Sequence, residues 1–109
     1  MLLKNPKVNP AANHNEAIRS ASENGYLEIV KLLSKNSKVR SSKYYQSALR
    51  NAVENGHLEI VEFLLKDPII DPTINKNNVL RIAIEKDYIE IVNLLFRDSR
   101  VQKYFNFKN

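Results

Sequence analysis

Two ladders of carboxylates run through this chain at a fixed interval of thirty-one residues. Glu23, Glu54 and Glu85 make one, and Glu28, Glu59 and Glu90 the other. Paired carboxylates do general acid–base work only where one is desolvated enough to raise its pKa. These lie near helix ends in the pattern described below. Glu28, Glu59 and Glu90 open a helix, where the macrodipole favours an anion and solvated charge is the simpler reading. Arg19, Arg50 and Arg81 form a third ladder. It is either a basic stripe for a partner or a set of donors for loop carbonyls, since each guanidinium carries five N–H groups. His14 and His57 stand alone, and Tyr26 and Tyr88 fill the column of His57. Imidazole chemistry is therefore dispensable there, and a structural hydrogen bond is the expectation. The two glycines, Gly25 and Gly56, are too far apart to form a phosphate-cradling loop. No cysteine is present, which excludes disulfides and thiolate metal sites and points to a reducing, cytoplasmic location. We expect no catalytic residue, no cofactor and no metal, and hence no enzyme.

The elements that carry these ladders are repeats. Residues 5–35, 36–66 and 67–97 align without a gap, and seven columns are identical in all three units. Besides the Arg and Glu ladders these are Ala21/Ala52/Ala83, Ile29/Ile60/Ile91, Val30/Val61/Val92 and Leu33/Leu64/Leu95. Val8, Val39, Ile70 and Val101 add an apolar anchor in the connecting segments. Each unit reads as two helices around a corner. Ala48, Leu49, Ala52 and Val53 mark one face of the first helix, with Ser47, and Asn78 in the third unit, as N-caps. Gly25 and Gly56 follow that helix, where a left-handed C′ residue belongs. Asp87 takes the place in the third unit and implies a strained or reshaped corner. The second helix of the middle unit runs from Leu58 to about Lys66, and Asp67-Pro68 stops it.

A helix of about nine residues is marginal alone, and "LEIVEFLL" is apolar over too wide an arc for a surface helix. Stacked copies resolve both problems, because each second helix then touches its partner and both neighbours. The repeated alanines mark close helix approaches. The fold expected is an all-α solenoid of three stacked helix–turn–helix repeats with partial terminal units, joined by loops of about a dozen residues.

"GHLEIVEFLLK" closely resembles the second-helix consensus of ankyrin repeats, and "AVENGHLEIVEFLL" resembles their "AAxxGHxEVVxLLL" pattern. The resemblance spans residues 5–97 in three concordant copies. Short units of this type are similar to those abundant in amoebae and their large DNA viruses. The family's T-P-L-H appears here as Glu16-Ala17-Ile18-Arg19, Ser47-Ala48-Leu49-Arg50 and Asn78-Val79-Leu80-Arg81. Units of thirty-one rather than about 33 residues, with "DPIIDPT" in place of a glycine-containing hairpin, imply a shortened finger. The resemblance implies a non-catalytic scaffold that grips another protein in a concave groove of first helices and loops.

Within that groove, positions that vary between units are the binding candidates. On the first helix these are Ser20, Asn51 and Ile82. Just before it lie Asn13, Tyr44 and Asn75, then Asn15, Gln46 and Asn77. At its end come Asn24, Asn55 and Lys86. Tyr44, beside Lys43, is the strongest of them, since exposed tyrosine is a common interface anchor; packing against a neighbouring loop beside Tyr45 is the alternative.

The chain carries a net charge of +5. Between Glu28 and Glu54 there is no acidic residue, while Lys31, Lys35, Lys38, Arg40, Lys43 and Arg50 all occur. That leaves electrostatic binding of nucleic acid or an acidic surface through the second unit as a second reading. No stacking pattern of aromatics accompanies it. No apolar run is long enough for a bilayer, and no membrane partner is expected. At the ends, Ser22 and Ser34 replace the apolar residues of later units and read as a solubilised start, with Met1, Leu2 and Leu3, which align with the end of a second helix, expected to add a last turn or to fray. Ile82, Ile84 and Phe96 make the third unit the most apolar. Val101, Tyr104, Phe105 and Phe107 in the tail, residues 98–109, are expected to fold over that face. The alternative is a mobile tail, with the apolar end driving a weak dimer.

Overall fold

The computed structural model of the protein describes residues 9–108, apart from the side chains of residues 76–77 and 106–108. The packing foreseen for Met1–Leu3, Val8 and Phe107, and the side chain of Asn77, lie outside that description. Among the described residues every regular element is helical. In chain order these are α1 (Ala12–Asn24), α2 (Leu27–Leu33), α3 (Ser37–Ser41), a single 3-10 turn (Lys43–Tyr45), α4 (Gln46–Glu54), α5 (Leu58–Leu65), α6 (Ile74–Glu85), α7 (Ile89–Arg97) and α8 (Ser99–Lys108). First helices α1, α4 and α6 pack in a row, as do second helices α2, α5 and α7. The long axis is 50 Å against 24 and 19 Å across, the shape of units filed in a line.

The repeated columns build the core. Ala21, Ala52 and Ala83 are buried where helices meet, and Leu33, Leu64 and Leu95 are buried in every second helix. Val39, Ile70 and Val101 are all wholly buried, so the connecting segments are pinned from inside. A fully buried side chain of this size stabilises by about 1.5–3 kcal/mol, which is what short helices lack on their own.

Corners follow one geometry. Gly25 (φ 80°), Gly56 (φ 71°) and Asp87 (φ 61°) are all left-handed. After each, the next N–H reaches back to an alanine carbonyl: Tyr26 to Ala21, His57 to Ala52 and Tyr88 to Ala83, at 2.9, 2.9 and 3.0 Å. These bonds satisfy carbonyls that a helix end leaves orphaned. Asp87 keeps the shape of the glycine corners and therefore carries the strain of a left-handed β-carbon.

Three expectations are corrected. Ser47 and Asn78 are not N-caps but lie inside α4 and α6, whose cap positions are held by Tyr45 and Thr73 without a side-chain bond; Ser42 instead caps the 3-10 turn ahead of α4, its Oγ accepting from the N–H of Tyr44 at 3.2 Å. The connecting segment that opens the second unit contains a helix, α3, started by Asn36 Oδ1 accepting from the N–H groups of Lys38 and Val39. Five residues give no readable period, so only the cap announced it.

Ser22 and Ser34, moreover, do not face an open end. Both are buried because their columns point at the following unit, which the second unit fills. Ser34 Oγ bonds the Lys31 carbonyl at 2.9 Å, while Ser22 Oγ has no partner among the described residues. At the other end the tail is a ten-residue helix, α8. Val101 is buried, Tyr104 half-buried, and the Phe105 ring lies 5.8 Å from that of Phe96. The tail covers part of the third unit, while Ile84 and Ile89 stay exposed.

Candidate partner-binding face

Each first helix brings its variable residues to the surface, and the joints between units decide which remain free. At the corners, a ring from one unit lies over the glycine of the unit before. His57 covers Gly25 and Tyr88 covers Gly56. His57 Nε2 is 2.8 Å from the Glu23 carbonyl and, as the donor to it, carries the proton. The hydroxyl of Tyr88 donates to the Glu54 carbonyl at 3.4 Å. Histidine and tyrosine are interchangeable in this column because both offer a flat face and a donor at its tip.

The loops are joined by a second device that the sequence did not announce. Arg40 donates to both oxygens of Asp67 in the next unit, at 2.9 and 2.7 Å, and the hydroxyl of buried Tyr45 donates to Asp67 Oδ2 at 2.9 Å. The guanidinium of Arg40, with help from the Ile69 N–H and Tyr45, holds the Asp67 carboxyl down at about 2. Burial, and then the Asp67 hydrogen bond, pushes Tyr45 well above the ordinary phenol range. Farther along, burial pushes Asp98 up, but the side chain and N–H of Arg100 outweigh it and hold the carboxyl below its usual value. Arg100 also reaches back to the carbonyls of Ile70 and, at 2.7 Å, Leu65.

Several candidate residues belong to these joints. Asn15 is wholly buried and donates to the Val39 carbonyl at 2.9 Å. Gln46 clasps the next loop at two points, donating to Ile69 O at 2.6 Å and accepting from the N–H of Asp71 at 2.9 Å. Asn51 donates across to the carbonyl of Arg19 at 3.2 Å. Asn24 and Asn55 fold back onto their own helices, bonding the carbonyls of Ser20 and Asn51 at 2.8 Å. The arginine ladder does not act as one unit. Arg19 satisfies the carbonyls of His14 and Asn13, Arg50 pairs with Glu54 in its own helix, and Arg81 is exposed.

Asn13, His14 and Asn15 run left-handed in succession, with φ of 55°, 60° and 61°. Only asparagine, aspartate and glycine enter that region readily, and then as single residues. Arg19 holds the turn closed, and the turn points His14 at the second unit. There its ring meets that of Tyr44, centroids 4.3 Å apart, while Lys43 Nζ stands 5.3 Å from the other centroid. Tyr44 is half-buried and Lys43 exposed. Beyond them Gln46 and Asn75 line a shallow groove with Arg50, Asp71, Pro72 and Asn78. Ser20, Asn75 and Lys86 are exposed and Ile82 is half-buried. The described residues contain no group of three or more His, Asp or Glu side chains placed to share a metal ion.

The family model for ankyrin repeats, three copies, matches residues 18–106. The chain belongs to the ankyrin-repeat family. No curated protein and no solved structure matches it significantly. Ankyrin repeats are generally protein–protein interaction modules without catalysis, and no described helix is long and apolar enough to cross a membrane. In this ankyrin chain the family's opening threonine–proline–leucine–histidine is absent, and the work of tying unit to unit falls to the rings over Gly25 and Gly56 and to the Arg40–Asp67–Tyr45 cluster.

Proposed function

We propose that this chain is a non-catalytic module that binds a protein partner along the face of its first helices, anchored by Tyr44. The supporting observation is the stack of Tyr44 on His14 with Lys43 beside it, a half-exposed aromatic held in place by two neighbours. An anchor fixed beforehand loses little side-chain entropy on binding, and tyrosine and cations are enriched where interfaces gain their energy. Other exposed residues of the first-helix face (Asn13, Ser20, Asn75, Lys86), with half-buried Ile82, supply the adaptable rim. Asn15, Gln46, Asn51 and the back-bonded Asn24 and Asn55 set the spacing between units and so the curvature of the face.

The electrostatic reading is weakened by the same geometry. Of the six cations between Glu28 and Glu54, Lys31 lies 3.7 Å from Glu28, Arg40 is bound to Asp67 and Arg50 to Glu54. Lys35, Lys38 and Lys43 are left to meet an anion, too few for the dense phosphate contacts that drive nucleic-acid binding.

Capture of a partner from the native host by the wild-type chain, alongside Tyr44→Ala and Lys43→Ala, tests this. A protein captured by the wild type and lost at least about tenfold in Tyr44→Ala, at unchanged melting temperature, is the expected result. Equal capture by Tyr44→Ala rejects the anchor, and capture of nucleic acid with affinity falling steeply in salt selects the electrostatic reading.

A further inference from the structure

Asn24-Gly25 and Asn55-Gly56 are the only places in the chain where asparagine precedes glycine. Glycine has no β-carbon to hinder its approach, so its backbone nitrogen attacks the side-chain carbonyl carbon of a preceding asparagine more readily than any other residue's does. The glycine nitrogen loses its proton and bonds to the asparagine Cγ, and ammonia leaves with the Nδ2. Water then opens the five-membered imide at either of its carbonyls. One product is aspartate. The other is isoaspartate, in which the main chain runs through the side chain. Water is the only co-reactant.

Both asparagines are exposed, so water reaches them, yet the fold holds the reacting atoms apart. Asn24 Nδ2 donates to the Ser20 carbonyl and Asn55 Nδ2 to that of Asn51, each at 2.8 Å. These bonds draw each side-chain carbonyl carbon back along its own helix. The attacking groups are committed too: Gly25 N–H bonds the Ala21 carbonyl, and Gly56 N–H that of Val53 at 3.1 Å. Asn55 has ψ of 8°, which sets the Gly56 nitrogen beside the residue's own backbone nitrogen and turns it from Cβ. Closing the imide there requires rotation about that bond, which opens the corner. Across each corner lies one ring of the next unit. His57 rests on Gly25 and donates to the Glu23 carbonyl at 2.8 Å; Tyr88 rests on Gly56 and donates to the Glu54 carbonyl at 3.4 Å. The residue strapped between each pair of contacts is the asparagine.

We infer that Asn24 and Asn55 are deamidation sites latched by the neighbouring unit, Asn24 by the His57 ring and Asn55 by the Tyr88 ring, so that each reacts only as its own joint opens. Such local openings are cheaper than unfolding the whole chain. The reaction acts back on the joint that restrains it. A carboxylate at either position stands at the negative end of a helix beside Glu23 or Glu54, where an anion is unfavourable. Isoaspartate adds a main-chain carbon between the carbonyl that the ring grips and the glycine beneath it, and one ring no longer spans both. The third corner, Lys86-Asp87, lacks the pair and stands outside this chemistry.

The experiment incubates the full chain at fixed, mildly alkaline pH and follows deamidation at each site by peptide mass mapping. Urea-unfolded wild type gives the unrestrained rate. In the folded wild type both sites are expected to react at least about tenfold more slowly than that. His57→Ala is expected to raise the rate at Asn24 by at least about fivefold, the rate equivalent of about one hydrogen bond. Asn55 in the same molecules keeps its wild-type rate. Tyr88→Ala is expected to do the reverse. His57→Phe and Tyr88→Phe keep the ring and lose only the donor, and are expected to give smaller rises at the same single sites; circular dichroism confirms that each variant stays helical. Any one of three results overturns the inference: a folded wild type that reacts as fast as the unfolded chain, a site that keeps its rate when its own ring is removed, or equal acceleration of both sites in a helical variant.

Discussion

The imidazole of His57 lies flat over Gly25, its Cε1 only 2.7 Å from where a β-carbon would stand. Glycine is required at this corner twice over, once by φ of 80° and once by the ring above. The two demands separate in a double-mutant cycle. Gly25→Ala is expected to cost about 2–3 kcal/mol in urea unfolding, about 1 from the left-handed backbone and the rest from overpacking. In a His57→Ala background the same change should cost only the backbone part. An equal cost in both backgrounds would show that the ring moves aside freely.

Asp87 shares the backbone without the ring. No neighbour sits over it among the described residues, which is why a β-carbon is tolerated in the third unit and not in the others. Asp87→Gly relieves left-handed strain of about 1 kcal/mol or more and adds unfolded-state entropy worth somewhat less. A net gain of about 0.5 kcal/mol in urea unfolding is expected. A loss of stability would mean that the carboxylate holds this corner.

Acid should attack the chain at Asp67. Its carboxyl titrates at about 2 in the fold, below the ordinary 3.8. The stabilisation is complete above pH about 4 and is lost as pH falls from there toward 2, because the unfolded chain takes up the proton first. After allowance for solvent screening, the cluster is worth about 1–2 kcal/mol. Asp67→Asn should lower the urea midpoint at neutral pH and flatten the decline between pH 4 and 2. An acid limb of unchanged steepness would place the sensitive group elsewhere.

The repeat, the helix pairs and the left-handed corners were legible because they rest on local patterns: seven constant columns, helical spacing, and glycine at a fixed offset. Pairings between units were not. Arg40 and Asp67 are twenty-seven residues apart, and in the sequence Arg40 reads as one more solvated cation. Asn15 and Gln46 vary between units and so resemble contact residues, yet they vary because each meets a different loop. A repeat shows which positions are equivalent, but only coordinates tell which way a column faces.

Ser22 is where that distinction has a measurable consequence. Its hydroxyl is wholly buried with no partner among the described residues, in a column occupied by Val53 and Ile84. A buried hydroxyl without a hydrogen bond is costly. Ser22→Ala removes it at nearly constant volume and is expected to stabilise the chain by about 1 kcal/mol. Had the serine been a solubilising cap on an open end, the same substitution would leave stability unchanged and lower solubility. A raised melting temperature with unaltered solubility therefore decides between the two placements, and Ser22→Val, which copies Val53, should raise it further if the space beside the second unit admits two methyl groups.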